Sequence, residues 1–266
     1  MKRVITAIVL LPLFFAAVLA ANSAWFAALA ALASLLAAHE YFGLAEALGE
    51  KPFRVFGHAW AMMTLLSVWL PEQIPPVLIA VAGALAVGVL ALFSKMDLPK
   101  VLGAVATTAF GALYLGALPG CMLALKELGG ERGTGFVLLA CTAVWAGDSF
   151  AYYGGRLLGK HKLAPRVSPK KTWEGAIIGA IGSLVAGAVA PLTYFRELPM
   201  VHALAISALI SIIGPLGDLF ESALKRGAGV KDSSSLLPGH GGVLDRLDSL
   251  LFAAPLVLLY QKVFLP

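Results

Sequence analysis

The stretch ALAISALISIIGPLGDLF, residues 203–220, decides the fold. It is eighteen residues long and carries one charged group, Asp218. At about 1.5 Å per residue a helix of that length approaches the roughly 30 Å hydrocarbon core of a bilayer. The adjoining stretch is of the opposite kind: ESALKRGAGVKDSSSLLPGHGGVLDRLD, residues 221–248, gathers charge, serine and glycine in a chain that otherwise avoids charge. Asp218, Glu221, Ser222 and Lys225 recur at i, i+3, i+4 and i+7, so a helix continuing through them puts them on one face. Asp245 and Asp248, at i and i+3, share a face in the same way. Between the acidic pairs lie Lys225, Arg226, Lys231, three serines and the turn Pro238-Gly239-His240-Gly241-Gly242. Carboxylates that suit a hard cation, beside cations and bare amides that suit phosphate, point to metal-assisted phosphoryl or nucleotidyl transfer.

Outward from this stretch the apolar pattern repeats. Of 266 residues 59% are hydrophobic and 13% charged, which excludes a soluble globular enzyme. Apolar runs fall at about 4–20, 24–45, 55–70, 77–93, 101–125, 135–153, 175–195, 203–220 and 249–264. The expectation is an all-α, polytopic transmembrane helical bundle of about nine spans. Residues 1–134 would form an N-terminal transmembrane bundle, and 135–266 a catalytic transmembrane region with its site facing the cytoplasm. The fifth run, with Pro119-Gly120 inside it, is expected to be one kinked or tilted span. Lys2-Arg3 ahead of residues 4–20 imitates a secretory signal, but the run is expected to stay as a first span because several more come after it. The net charge of +5 is no nucleic-acid footprint, since Lys and Arg sit in short connections. With Lys2-Arg3 in the cytoplasm, nine spans place residues 46–54, 94–100, 154–174 and 221–248 on the same side, where Lys and Arg concentrate. Cys121 and Cys141 lie in or beside apolar runs and imply no disulfide framework. Gly175, Gly179, Ser183 and Gly187 recur every four residues as a stripe for close helix packing.

Individual polar groups admit two readings each. Ser168-Pro169 has the form of an N-cap and first helical residue, which would set Lys170 and Lys171 in a first turn against the helix dipole. Those lysines form either a basic patch on an anionic membrane surface or the grip on a polyanion at a helix start. Asp148, inside an apolar run and one turn before Tyr152, is either a hydrogen-bonded structural carboxylate or part of a site. His39-Glu40 is either interfacial or an intramembrane partner for a basic residue elsewhere. Asp218, Asp245 and Asp248 either pair with Lys225, Arg226 and Arg246 in a solvated loop or gather around a ligand. The glycines and the His240-Gly241-Gly242 turn favour the ligand, because glycine lets backbone amides come close.

The run Ser222-x-Leu224-Lys225-Arg226-x4-Lys231-Asp232, then Pro238-x-His240-Gly241-Gly242-x-x-Asp245-Arg246-x-Asp248, resembles the motif of the phosphatidate cytidylyltransferase (CDP-diacylglycerol synthase) family. Ser168-Pro169-Lys170-Lys171-Thr172-x-Glu174-Gly175 and Asp148-x-x-Ala151-Tyr152-x-x-Gly155-Arg156 are also similar to it. The resemblance covers about residues 148–248 and rests on many fixed polar positions. It implies transfer of CMP from CTP to phosphatidic acid, giving CDP-diacylglycerol and pyrophosphate, in a bacterial-type inner membrane. It also implies Mg²⁺ with a second, monovalent cation, and a homodimer. On that basis Asp218, Asp245 and Asp248 are expected at the metal, with Asp148 a fourth candidate. Lys225, Arg226, Lys231 and Arg246 would neutralise phosphates. Ser168, Lys170 and Lys171 would hold either the triphosphate or the lipid phosphate, and Ser222, Asp232, His240, Gly241 and Gly242 would complete the substrate contacts. Two other classes share part of the pattern: a CTP-dependent transferase acting on a polyprenol or ether lipid, and a secondary transporter of an organic phosphate.

Overall fold

A computed structural model describes residues 2–20, 22–237, 239 and 241–265. Among them the chain forms α1 (Lys2–Leu19), α2 (Ser23–Ala47), α3 (Arg54–Trp69), α4 (Pro76–Leu92), α5 (Leu98–Lys126) and α6 (Gly130–Leu158). Next come a hairpin of β1 (Lys162–Ala164) and β2 (Ser168–Thr172), then α7 (Trp173–Val189) with a single 3-10 turn at Ala190–Leu192, α8 (Met200–Gly227) and α9 (Leu244–Phe264). Each expected apolar run has become one helix. Among the described residues, six of these helices (α2, α5, α6, α7 with its 3-10 turn, α8 and α9) are long and apolar enough to cross a membrane. Helix α4 is apolar but shorter, at 17 residues. Helix α5 runs unbroken through Pro119.

Helix α7 shows why these elements belong in lipid. Gly175, Gly179, Ser183 and Gly187 are buried, whereas Ile177, Ile181, Val185 and Val189, two positions on, are exposed. Gly175, Gly179 and Ser183 pack on α6: a Cβ added at Gly179 would stand 2.9 Å from the Gly147 carbonyl oxygen, and Ser183 Oγ donates to the Ala143 carbonyl at 2.9 Å, while Gly187 packs on Ser207 of α8. One face is small enough for backbones to meet, and the other offers branched aliphatics to an apolar surround.

The expected helix start at Ser168-Pro169 is corrected. Ser168–Thr172 is strand β2, antiparallel to β1, with Lys162 opposite Thr172 and Ala164 opposite Ser168. In a two-stranded hairpin both strands are edges, so Pro169 can lack an N–H without breaking a ladder. The helix begins at Trp173, with extended Thr172 as its N-cap; Thr172 Oγ1 accepts the Gly175 N–H at 3.2 Å. Glu174 then occupies the first turn, where negative charge suits the dipole, and Lys170 and Lys171 precede the helix instead of opposing it.

The chain divides into two compact units, Met1–Ala124 with Leu224–Arg246, and Leu125–Ala223 with Leu247–Pro266. In the first, Trp60, Ala61, Val87 and Ala112 form a buried cluster with Phe53, Phe56 and Ile79 packed against it. In the second, Phe136 and Phe195 meet edge to face, with ring centroids 4.9 Å apart, and both are buried. Helices α8 and α9 both extend further than their apolar runs. Helix α8 continues through Glu221, Ser222, Lys225 and Arg226, and α9 starts early enough to include Asp245 and Asp248.

Candidate active site

In the unit built on α6, α7 and the hairpin, the basic and acidic runs meet. Lys171 on β2 reaches Asp218 on α8, Nζ to Oδ2 2.6 Å, with the two side chains 26% and 29% exposed. One turn on, Ser222 Oγ donates to Asp218 Oδ1 at 3.3 Å. The α9 backbone lies against α8 here: a Cβ at Gly217 would stand 2.5 Å from the Asp248 carbonyl oxygen, so glycine permits the approach. Asp248 Oδ1 accepts the Ser249 N–H at 2.6 Å. The hairpin is held at its base by Glu174, whose carboxylate accepts the Lys160 and His161 N–H groups at 3.0 and 3.2 Å and faces His161 Nδ1 at 2.6 Å. Lys170 is exposed and Ser168 half-buried in β2. Asp148 is exposed on α6, as is Tyr152 one turn later.

In the other unit the C-terminal end of α8 and the start of α9 are tied together. Lys225 and Asp245 form a buried ion pair. The second oxygen of Asp245 accepts the Gly242 N–H at 2.7 Å, the Ser233 N–H at 3.0 Å and lies 2.9 Å from Ser233 Oγ. Helix α8 closes in a Schellman turn at Gly229, φ 71°, with Val230 N–H on the Lys225 carbonyl and Gly229 N–H on that of Arg226. Arg226 donates to the Val230 carbonyl at 2.8 Å. Lys231, Asp232 and Arg246 are exposed, and the carbonyl of Gly241, φ 79°, accepts the Leu237 N–H at 2.8 Å. His240 and Pro238 lie outside the described residues.

Glu40 is left open by the sequence between an interfacial position and a partner for a basic residue, and the structure speaks to the second. It is buried on α2, and its acceptors are filled by the Val243 and Leu244 N–H groups at 3.0 and 2.8 Å and by Ser234 and Ser233 hydroxyls at 2.6 and 3.0 Å. Its partners are amides and hydroxyls, not the basic residue anticipated for an intramembrane acid. Arg54 instead faces His39 Nδ1 at 3.0 Å and pairs with Glu46 at 2.9 Å. The available signal was an acid in an apolar run with two serines and a helix start to satisfy elsewhere in the chain.

Among the described residues, no three His, Cys, Asp or Glu side chains gather into a cation cage. The arrangement within each unit is a carboxylate held by a lysine, partly open at Asp218 and closed at Asp245.

Fold and site together define a helical membrane protein with lysine–carboxylate pairs at the ends of long apolar helices. The model of the Cytidylyltransferase family matches residues 1–264, and the chain belongs to that family. It is 32% identical over 292 residues to a phosphatidate cytidylyltransferase of Synechocystis sp., covering 100% of this chain and 97% of that one. Proteins of the same name from Bacillus subtilis and Brucella abortus are 41% identical over 153 residues and 46% over 159. These two matches cover 58% and 59% of this chain, and 56% and 57% of those relatives, little more than half of their length.

Proposed function

We propose that this chain transfers the cytidylyl group of CTP to phosphatidate, giving CDP-diacylglycerol and pyrophosphate. The observation that carries the proposal is the Lys171–Asp218 contact, which joins the basic hairpin to the acidic face of α8 in a member of the Cytidylyltransferase family. A phosphatidate oxygen forms a bond to the α-phosphorus of CTP. The bond from that phosphorus to the oxygen bridging the β-phosphorus breaks, and its electrons leave with pyrophosphate. The attacking oxygen is already anionic, so no strong general base is required. Catalysis is alignment and neutralisation of charge. Lys171, paired with Asp218 before the nucleotide arrives, exchanges that carboxylate for phosphate oxygen, and Lys170 on the same strand adds positive charge. In the other unit the exposed Arg226, Lys231 and Arg246 are cations that suit phosphate.

Asp218 and Asp248 are the residues that would hold magnesium. They are hard oxygen donors on neighbouring helix segments, and Asp218 is partly open. With no third ligand gathered beside them among the described residues, phosphate oxygens and water would fill the remaining positions, the usual arrangement for this ion. Bound there, magnesium supplies charge neutralisation to the triphosphate. Asp245 would join only by giving up Lys225. The protein would cross a bacterial inner membrane nine times, with Lys2-Arg3, the hairpin and the 228–243 segment in the cytoplasm; the placement of Lys and Arg supports this orientation.

The test is pyrophosphate release by purified protein supplied with CTP, Mg²⁺ and phosphatidate, each omitted in turn. All three should be required. Release without the lipid, or exchange of a phosphate ester across liposomes without nucleotide, would overturn the proposal.

A further inference from the structure

We propose that Glu40, far from the charged motif in sequence, is a positioning residue that fastens both ends of the 233–243 segment, and that turnover depends on this fastening. The catalytic half of the inference rests on the function proposed above; the fastening does not. Glu40 is 5% exposed on α2, and its carboxylate takes four donors. Two, the Ser233 and Ser234 hydroxyls, belong to the start of the segment. The other two, the Val243 and Leu244 N–H groups, belong to its end and to the first turn of α9. Helix-start amides have no intrahelical acceptor and sit at the positive end of the dipole, so they can stabilise a buried carboxylate without a cation.

One side chain therefore fixes the end-to-end geometry of a segment that carries the glycine turn. The linkage continues: Ser233 Oγ lies within hydrogen-bond distance of both Glu40 Oε2 and Asp245 Oδ2, and Asp245 holds Lys225. Gly242 is required for the same closure. A Cβ there would overlap the Glu40 carboxylate and Ser233 Oγ, while its N–H is committed to Asp245. Glu40 is not among the groups assigned above to the phosphates or to magnesium. It acts through Ser233, Asp245 and the start of α9.

Glu40→Gln keeps the shape but replaces one acceptor oxygen with a donor. A serine hydroxyl can turn to accept from it, but a backbone N–H cannot. Two readouts on the full-length protein in detergent decide the matter. In amide hydrogen exchange without substrates, residues 231–246 of Glu40→Gln should exchange about tenfold faster or more, while α3 and α4 keep wild-type protection. In steady-state turnover, kcat should fall about tenfold or more with KM for CTP changed much less, Glu40→Asp should recover part of the loss, and Ser234→Ala should lose less and combine non-additively with Glu40→Gln. Wild-type protection across 231–246 in Glu40→Gln overturns the fastening. Loss of protection spread through α3 and α4, with kcat falling only as the folded fraction falls, overturns the positioning role. Should Glu40→Gln fail to fold, Ser234→Ala carries the same readouts, and unchanged exchange in 231–246 overturns the inference. A wild-type protein inactive with CTP and phosphatidate sinks the function proposed above, while the exchange comparison still decides the fastening.

Discussion

Lys171 and Lys225 each hold an aspartate, but in surroundings that give the two pairs different work. Lys171–Asp218 is 26% and 29% exposed, and a pair of that kind contributes about 0–1 kcal/mol and can be exchanged for other partners. Lys225–Asp245 is 9% and 4% exposed, and removing one partner leaves a buried charge at a cost of about 3–5 kcal/mol. Asp218→Asn should therefore lower turnover roughly a hundredfold, the scale of losing a transition-state electrostatic group, and leave unfolding in detergent close to wild type. Asp245→Asn should lose turnover and also about 3–5 kcal/mol of stability. Paired measurements of kcat and of unfolding midpoint check both. Wild-type turnover and Mg²⁺ activation in Asp218→Asn would make that residue a structural ion-pair partner only.

The hairpin is the element that brings the basic run to α8. Replacing Lys170 and Lys171 together by Gln should raise KM for CTP or phosphatidate, about tenfold or more per lost charge-assisted contact, with membrane insertion intact. Normal kinetics in the purified double variant would reduce the lysines to a surface patch. The helices were legible because lipid-facing helices announce themselves by long apolar runs, and the α7 stripe was legible because small residues repeat every four positions. The strand was not. Ser-Pro is a helix-start signature, and the competing cues, Thr172 as an extended cap and Glu174 in the first turn, become decisive only once β1 is present to pair with β2. The polar reach of α8 was legible from the spacing of Asp218, Ser222 and Lys225, whereas the apolar run alone ended too early. Glu40 was visible as an acid out of place, but its partners lie at the opposite end of the chain, and no local pattern names them.

For the molecule as a whole, the positive charge in alternate connections predicts one orientation. Single cysteines introduced as Arg166→Cys and Ser235→Cys stand at exposed positions, and the native Cys121 and Cys141 are buried, so background labelling should be low. Both introduced thiols should react with an impermeant reagent only from the cytoplasmic face. Labelling from opposite faces would contradict the orientation that the placement of Lys and Arg predicts. The central claim, that the chain moves a cytidylyl group and not a terminal phosphate, is tested most directly by where the label goes. With CTP labelled at the α-phosphorus, or separately at the γ-phosphorus, the α label should enter the lipid product and the γ label should leave in pyrophosphate. Transfer of the γ label to lipid, or release of both labels with the lipid unmodified, would contradict the account.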